Sequence, residues 1–328
     1  MLKKILLLFL IFFLVFIGYF FIGRAPQAKE IKWGVNFSKK QAQSLGLDWK
    51  AVFISLLEDM GVRNFKIITH WDLIEVQEGQ YDFNDLDWQI EKLVDSGAKA
   101  FLALGMKTPG WPECHIPEWA GGFEKEKQQE LILNFLENIV LRYKDSSAIW
   151  AWQVENEPFF PFGECPWVDN DFLKKEIDLV KSLDDKNRPI ITSDSGEFSF
   201  WIASARIGDK IATTLHRKVW FQELKTYIEY PLPPVFYWRK AKIIERSFHK
   251  DVFVGELQAE PWCFKYLTEC PLQEQEKTMN LEQFKKNIEF AKNTGLKEFY
   301  LWGGEWWYWL KEKQNRPEIW EAARQLFK

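Results

Sequence analysis

Two glutamates, Glu157 and Glu256, stand at or near the ends of mainly apolar strand-like runs, Ala148–Val154 and Asp251–Leu257. The first lies in the stretch Trp152–Pro158, where Glu155, Asn156 and Glu157 follow a strand-like run. Pro158 has no N–H to donate, which suits a strand end or the loop beyond it. A carboxylate at the mouth of a core is costly unless it is paired or at work. Two such groups brought face to face have a definite chemistry. One carboxyl, kept protonated, assists a leaving oxygen, and the other, kept ionised, attacks or steadies a cationic carbon. The structural alternative for each is a salt bridge at the rim of the scaffold. Other acidic stretches, Glu124–Glu130 and Gln273–Lys277, read as solvated charge runs on helix faces.

Apolar strand-like runs alternate with helical patterns along the chain, and these elements must position the pair. Strands are expected at Lys32–Phe37, Phe65–Thr69, Ala98–Leu104, Ala148–Val154, Pro189–Ser193, Lys210–Leu215, Asp251–Leu257 and Glu298–Trp302. Helices are expected near Trp49–Met60 and Leu86–Asp95, and in a third segment with Leu131, Phe135 and Ile139 on one face. A fourth carries Leu173, Ile177 and Val180 behind an N-cap at Asp169 or Asn170. The fifth, Phe198–Ala205, is faint. Further helices fall at Phe236–Phe248, around Leu281, Phe284 and Ile288, and at Pro317–Phe327. A long aromatic loop, Arg217–Pro234, precedes the sixth helix.

Eight strand–helix alternations spell an α/β fold of the TIM (β/α)8 barrel type, with a doubly wound open sheet as the alternative. His70, Asn156, Glu157, Asp194, His216, Glu256 and Trp302 all fall at carboxyl ends of strands, the active face of a barrel. Strand parity puts Val252, Val254 and Glu256 on one face, expected to point into the barrel. Glu260 shares that parity but follows the strand and precedes Pro261, so it reads as a rim residue or a hydroxyl ligand.

Asn156-Glu157-Pro158 after the fourth strand, with a second glutamate after the seventh, resembles clan A of the glycoside hydrolases. The stretch Trp71–Asp87 is similar to the second βα unit of several of its families, through Trp71, Ile74, Glu75, Gly79, Tyr81, Asp82, Phe83, Leu86 and Asp87. The resemblance implies a retaining β-glycosidase across Lys32 to Lys328. It makes Glu157 the general acid/base, Asn156 the ligand of the sugar 2-hydroxyl and Glu256 the nucleophile. Trp302 becomes the aromatic floor of the subsite for the reacting sugar, and His216 stands where the clan often has Tyr or His. The clan's usual strand-two Arg is replaced by Lys66, which supplies charge without a bidentate fork. His70, Trp71, Trp111, Asp194, Glu305 and Glu260 complete the candidate substrate-binding set. Trp119, Trp220, Trp262, Trp306, Trp307 and Trp309 also lie in expected top loops. His115 and His249 carry no signal beyond a surface role.

A formal net charge of −4 argues against a nucleic-acid partner. The 18 Trp, 9 Tyr and 28 Phe read as a large aromatic core, and the Trp clustered at strand ends suit a sugar partner, an oligo- or polysaccharide, because pyranose faces lie flat on indoles. No cofactor is called for, and the absence of CxxC or paired His spacing speaks against a metal. At the N-terminus, Lys3 and Lys4 precede the uncharged run Ile5–Gly23, which approaches the ~20 residues that cross a bilayer. The expected organisation is therefore a single transmembrane signal anchor over residues 1–24, a linker over 25–31 and the barrel over 32–328. With the two Lys and the α-amine inward, the barrel faces outward as a cell-membrane, single-pass protein. A secreted form after signal cleavage is the alternative. Four cysteines in an exported chain suggest disulfides, and loop adjacency favours Cys114 with Cys165 and Cys263 with Cys270 among three connectivities. A glycan-binding barrel without catalysis competes with the enzyme reading, motivated by Lys66.

Overall fold

The computed structural model describes residues 2–328, so Met1, whose α-amine entered the orientation argument, lies outside the described residues. The strands are β1 (Lys32–Phe37), β2 (Asn64–Ile68), β3 (Lys99–Leu104), β4 (Ile149–Val154), β5 (Ile190–Asp194) and β6 (Lys210–Leu215), then β7 (Lys218–Phe221), β8 (Thr226–Glu229), β9 (Val252–Gln258) and β10 (Glu298–Trp302). Eight of them close a parallel barrel in the order β1, β10, β9, β6, β5, β4, β3, β2. Strands covered on both faces bury nearly every residue, hence the unbroken apolar runs that made them readable. β7 and β8 form a separate antiparallel hairpin inside the expected aromatic loop.

Around the barrel run α2 (Lys39–Ser44), α3 (Trp49–Glu58), α4 (Trp71–Ile74), α5 (Asn84–Ser96), α6 (Lys125–Tyr143) and α7 (Asn170–Leu183), preceded by α1 (Leu2–Phe21). They are followed by α8 (Ile202–Ile207), α9 (Pro234–Phe248), α10 (Leu272–Thr278), α11 (Leu281–Asn293), α12 (Gly304–Gln314) and α13 (Glu318–Arg324). Asp169 caps α7 by accepting from the N–H groups of Asp171 and Phe172, which decides between the two expected caps. α8 begins four residues later than expected, after Trp201, whose left-handed backbone (φ 63°) precedes its first turn. α12 replaces an expected top loop, and Trp306 and Trp307 on it are buried, not open to a cleft. Their indoles donate to Gln275 Oε1 and to the Ala259 carbonyl, both at 2.8 Å. Gln275 therefore belongs to the core and not to a solvated charge run. α1 is long and apolar enough to cross a membrane.

Inside the barrel, Phe101, Ala151, Ile191, Ala212, Phe253 and Tyr300 form one cluster, each from a different strand. The Phe101 and Tyr300 rings meet edge to face at 4.9 Å, and both reach Phe253 at 5.9 Å. This aromatic plug fills the lower barrel. The next inward layer carries Lys66, Gln153, Ser193, Thr214 and Glu256, which leaves polar chemistry for the upper mouth.

Phe253, not Val254, faces inward, because Val254 belongs to the outer core. The expected face of Val252, Val254 and Glu256 is thus corrected. The register shifts between Thr213 and Thr214, pairing Thr213 with Val254 but Thr214 with Glu256. Gly255 is the extra residue, and this one-residue bulge turns Glu256 inward after all. A Cβ at position 255 would lie 2.8 Å from that of Ala212, so the bulge needs glycine.

Both expected disulfides form, with Cα atoms 5.2 Å apart for Cys114–Cys165 and 6.4 Å for Cys263–Cys270. Their sequence separations are 51 and 7. Loop-closure entropy then assigns the first about 4 kcal/mol and the second about 2 kcal/mol. Denaturant unfolding of Cys114→Ser/Cys165→Ser should show the larger loss of stability and Cys263→Ser/Cys270→Ser the smaller. A reversed order would contradict the entropic assignment.

Candidate active site

The turn after β4 is held by its own backbone. The N–H of Glu155 donates to the Leu104 carbonyl at 2.8 Å, that of Asn156 to the Lys107 carbonyl at 2.7 Å, and that of Glu157 to Ser193 Oγ at 2.7 Å. Glu155 and Glu157 both adopt left-handed backbone, φ 56° and 42°. Such geometry costs of order 1–3 kcal/mol per residue and persists only where neighbours over-determine it. Glu155 is spent on this scaffold: its carboxylate accepts from the N–H groups of Met106 (2.8 Å) and Lys107 (2.6 Å). Gly105, at φ 119°, leaves room for it, since a Cβ there would lie 2.3 Å from Glu155 Oε1.

Glu157 is left with its carboxyl in the cleft, approached by Thr214 Oγ1 at 3.4 Å. Thr214 is the register partner of Glu256, so the bulge and the β4 turn converge on the same place. Burial first, then the charges of Glu256 and Glu113, push the Glu157 carboxyl well above the usual carboxylate range. Glu256 is held differently. Lys66 Nζ donates to its Oε1 at 2.7 Å from a side chain without exposed surface. One carboxyl therefore favours its proton while the other has a fixed cation.

Asn156 Nδ2 donates to Glu113 Oε2 at 3.1 Å, and Asn156 Oδ1 accepts from Ser193 Oγ and from Gln153 Nε2. Glu113 is a member of the cluster that the sequence reading missed. Burial and the charge of Glu256 push it up to about 7. Cys114, its neighbour, is tied to Cys165, and Gly163 packs so closely that a Cβ there would lie 2.5 Å from that of Glu113. Glu197, also unforeseen, accepts from Tyr237 Oη (2.8 Å) and from the N–H of His216 (3.0 Å). A polar residue in the turn between β5 and α8 gave little to find it by.

Trp302 is half-buried and donates its indole N–H to Glu260 Oε1 at 2.7 Å. Glu260 is pushed up to about 7 by burial. His216 meets the Trp262 ring at 4.8 Å, and Trp111, exposed, packs on Phe162 at the mouth. His70 is buried against His115, with rings 4.5 Å apart. Burial, followed by the charge of His115, holds His70 well below the usual imidazole range. The surface role expected of His115 is thereby corrected: it is buried, its Nδ1 lies 3.0 Å from Lys40 Nζ and its Nε2 3.1 Å from the Gly110 carbonyl. His249 is exposed, as expected.

Three candidates are drawn away from the cleft. Trp71 is fully buried beside Trp119 and Phe135, its indole donating to Glu75 at 2.7 Å. Asp194 accepts from Ser204 Oγ (2.8 Å) and the Ser195 N–H (2.9 Å). Glu305 accepts from the Ser38 N–H at 2.6 Å beneath the rim. No group of His, Cys, Asp or Glu suited to a metal occurs among the described residues.

Residues 48–129, spanning β2, β3 and the helices between, match the sequence model of the Glyco_hydro_42 family, described as beta-galactosidase. Beta-galactosidase BbgII of Bifidobacterium bifidum is 31% identical over 122 residues, 32% of this chain and 18% of that protein. Mannan endo-1,4-beta-mannosidase A of Emericella nidulans is 26% identical over 133 residues, 38% of this chain and 34% of that one. The chain thus aligns with about a third or less of either relative's length. Among solved structures, a family 10 endo-beta-1,4-xylanase from Gloeophyllum trabeum superposes with a TM-score of 0.58 at 13% identity, over 92% of this chain and 98% of that one. GH5_18 from Streptomyces cattleya gives 0.58 at 13%, over 84% and 70%. Fold and partial sequence match together support a clan A (β/α)8 glycoside hydrolase.

Glu305 offers a test of this electrostatic layout away from Glu157 and Glu256. Burial pushes it up to about 8 in the fold. Between its unfolded value near 4.5 and that value, the unfolded chain has released the proton and the folded chain has not. Stability therefore falls as pH rises through this window. Glu305→Gln should flatten the decline in Tm between pH 5 and pH 8, and an unchanged slope would show that Glu305 titrates as a free carboxyl.

Proposed function

We propose that the protein is a membrane-anchored, outward-facing β-glycoside hydrolase of the retaining type, with Glu157 as acid/base and Glu256 as nucleophile. The observation that carries this reading is the opposed treatment of two buried glutamates. Glu256 accepts a hydrogen bond from the buried Lys66 ammonium, whereas burial, followed by the charges of Glu256 and Glu113, pushes Glu157 well above the usual carboxylate range. Glu157 donates the proton to the glycosidic oxygen as the bond to the sugar carbon breaks, and Glu256 forms a covalent bond to that carbon. Glu157, now ionised, takes a proton from water, which attacks the same carbon and releases Glu256. Asn156 is placed beside Glu157 to bind a sugar hydroxyl, and Trp302 offers a ring face to the sugar. The relatives act on several β-linked sugars by name, so the sugar itself is a matter for a glycan panel. Lys66 pairs with Glu256 directly, so the cation stands where the hydrolase reading needs it, and turnover separates that reading from a glycan-binding barrel.

Glu256→Ala should abolish turnover of aryl β-glycosides, with azide restoring it and giving an α-azide product. Glu157→Ala should slow poor leaving groups far more than good ones. Equal losses across leaving groups would remove Glu157 from the acid role.

The pH profile gives a second handle. The alkaline limb of kcat/KM should follow loss of the Glu157 proton, above the usual carboxylate range. Glu113→Gln removes a negative neighbour that holds that proton, so the limb should move to lower pH. A limb that stays in place would detach it from Glu157.

A further inference from the structure

α1 leaves the barrel on its catalytic side. Gln27 donates to Asn293 at the foot of α11 (3.1 Å), close to where the chain enters the bottom of β1. Toward the N-terminus, the Gly18 and Ile22 carbonyls accept from Arg239, in the second turn of α9, at 3.3 and 3.0 Å. Phe20 and Phe21 lie against Phe236, in the first turn of α9, at 5.7 and 5.6 Å. Phe16 reaches Phe200, on the loop that leaves the carboxyl end of β5, at 6.2 Å. Each step climbs from the foot of the barrel toward the rim that carries Glu157 and Glu256. Beyond Phe16, every described side chain from Lys4 to Val15 is exposed.

Length then fixes where a bilayer would sit. The 20 residues of α1 rise about 30 Å, the thickness of the hydrocarbon core. Its last six residues, Phe16–Phe21, already lie along the barrel wall, so the helix spans only if that wall reaches the membrane interface. The wall there is apolar: Phe198, Phe200 and Ile202 are 57%, 40% and 41% exposed. Arg239, whose guanidinium lies 4.7 Å from the Tyr19 ring, supplies the cation and aromatic typical of an interface. This patch is continuous with the cleft. Phe198 follows Glu197 and stacks on Phe160, three residues past Glu157, at 5.5 Å.

We propose that α1 and the Phe198–Ile202 patch hold the catalytic rim against the bilayer, so that the cleft takes saccharides carried on lipids of the same membrane. The substrate half rests on the hydrolase reading; the placement does not.

All four native cysteines are paired, so a single introduced cysteine can be labelled in the full chain. Ile202→Cys at the patch and Asp145→Cys at the foot of β4 would carry a fluorophore in phosphatidylcholine vesicles. Lipids bearing a headgroup nitroxide should remove most emission at position 202 and leave position 145 unchanged. No quenching at 202, equal quenching at both, or recovery of a soluble form starting after Gly23 would overturn the placement. A long-chain alkyl β-glycoside in the same vesicles should be hydrolysed about tenfold or more faster than the same sugar as a soluble methyl β-glycoside, because confinement raises its effective concentration. Equal rates would overturn the lipid-borne substrate. Turnover of a soluble aryl β-glycoside reads the chemistry by itself: its absence fells the hydrolase reading while the quenching still decides the placement.

Discussion

A fully buried ammonium, Lys66, with Glu256 as its hydrogen-bonded carboxylate, sets the electrostatics of the whole upper barrel. Charges in such surroundings interact several times more strongly than in water. Once Glu256 is ionised beside Lys66, each further carboxyl nearby meets both burial and a fixed negative neighbour. Glu157 and Glu113 are both pushed up for these two reasons, in that order. The upward shifts of Glu157 and Glu113 therefore share a cause, the neighbouring Glu256, and are coupled and not independent. Lys107 acts against both shifts. It lowers both groups while its ammonium is tied to the Glu157 and Phe160 carbonyls.

Backbone strain supplies the positioning that this electrostatics needs. Glu113, Glu155 and Glu157 all have positive φ, three glutamates in a conformation that favours glycine. Each is locked by a different device. Glu155 has two backbone N–H donors, Glu157 has the Ser193 hydroxyl, and Glu113 has the Gly110 carbonyl and the neighbouring disulfide. The disulfide thus does more than constrain the unfolded chain. It clamps the loop of Glu113 to the loop that follows Glu157, so Asn156 can bridge the two.

The fold was legible because barrel strands are apolar throughout and end where polarity begins, and Glu157 and Asn156 were legible for the same reason. Glu256 was placed on the inward face by alternation, yet alternation is broken at Gly255, so the expected inward orientation was reached through an incorrect face for Val254 and an unseen bulge. A bulge leaves no mark in hydropathy; only the glycine hints at it. Trp71, Asp194 and Glu305 show the opposite failure. Their positions after strands were read correctly, but a strand end has an outward as well as an inward side, and their partners pull them outward or beneath the rim. Glu113 and His115 sit in a Pro-rich loop whose path depends on a disulfide, so no local pattern announced that either is buried.

The exchange of Arg for Lys at position 66 follows from what lies beneath it. The Phe101 ring of the aromatic plug has its centroid 6.0 Å from Lys66 Nζ. Among the described residues, Glu256 is the hydrogen-bond acceptor recorded for that ammonium. A guanidinium presents a planar fork of five N–H donors, and the single carboxylate of Glu256 leaves most of that fork without an acceptor. A compact ammonium leaves its remaining donors to the space above, where a sugar hydroxyl or water can accept them. The same feature makes the ion pair vulnerable, because a lysine holding a single carboxylate leaves that carboxylate unpaired when it is removed. Breaking a buried pair in this way typically costs about 3–5 kcal/mol, more than most core truncations of one methylene. Substitution of Lys66 by an apolar residue therefore removes the partner of a buried carboxylate at the centre of the upper barrel.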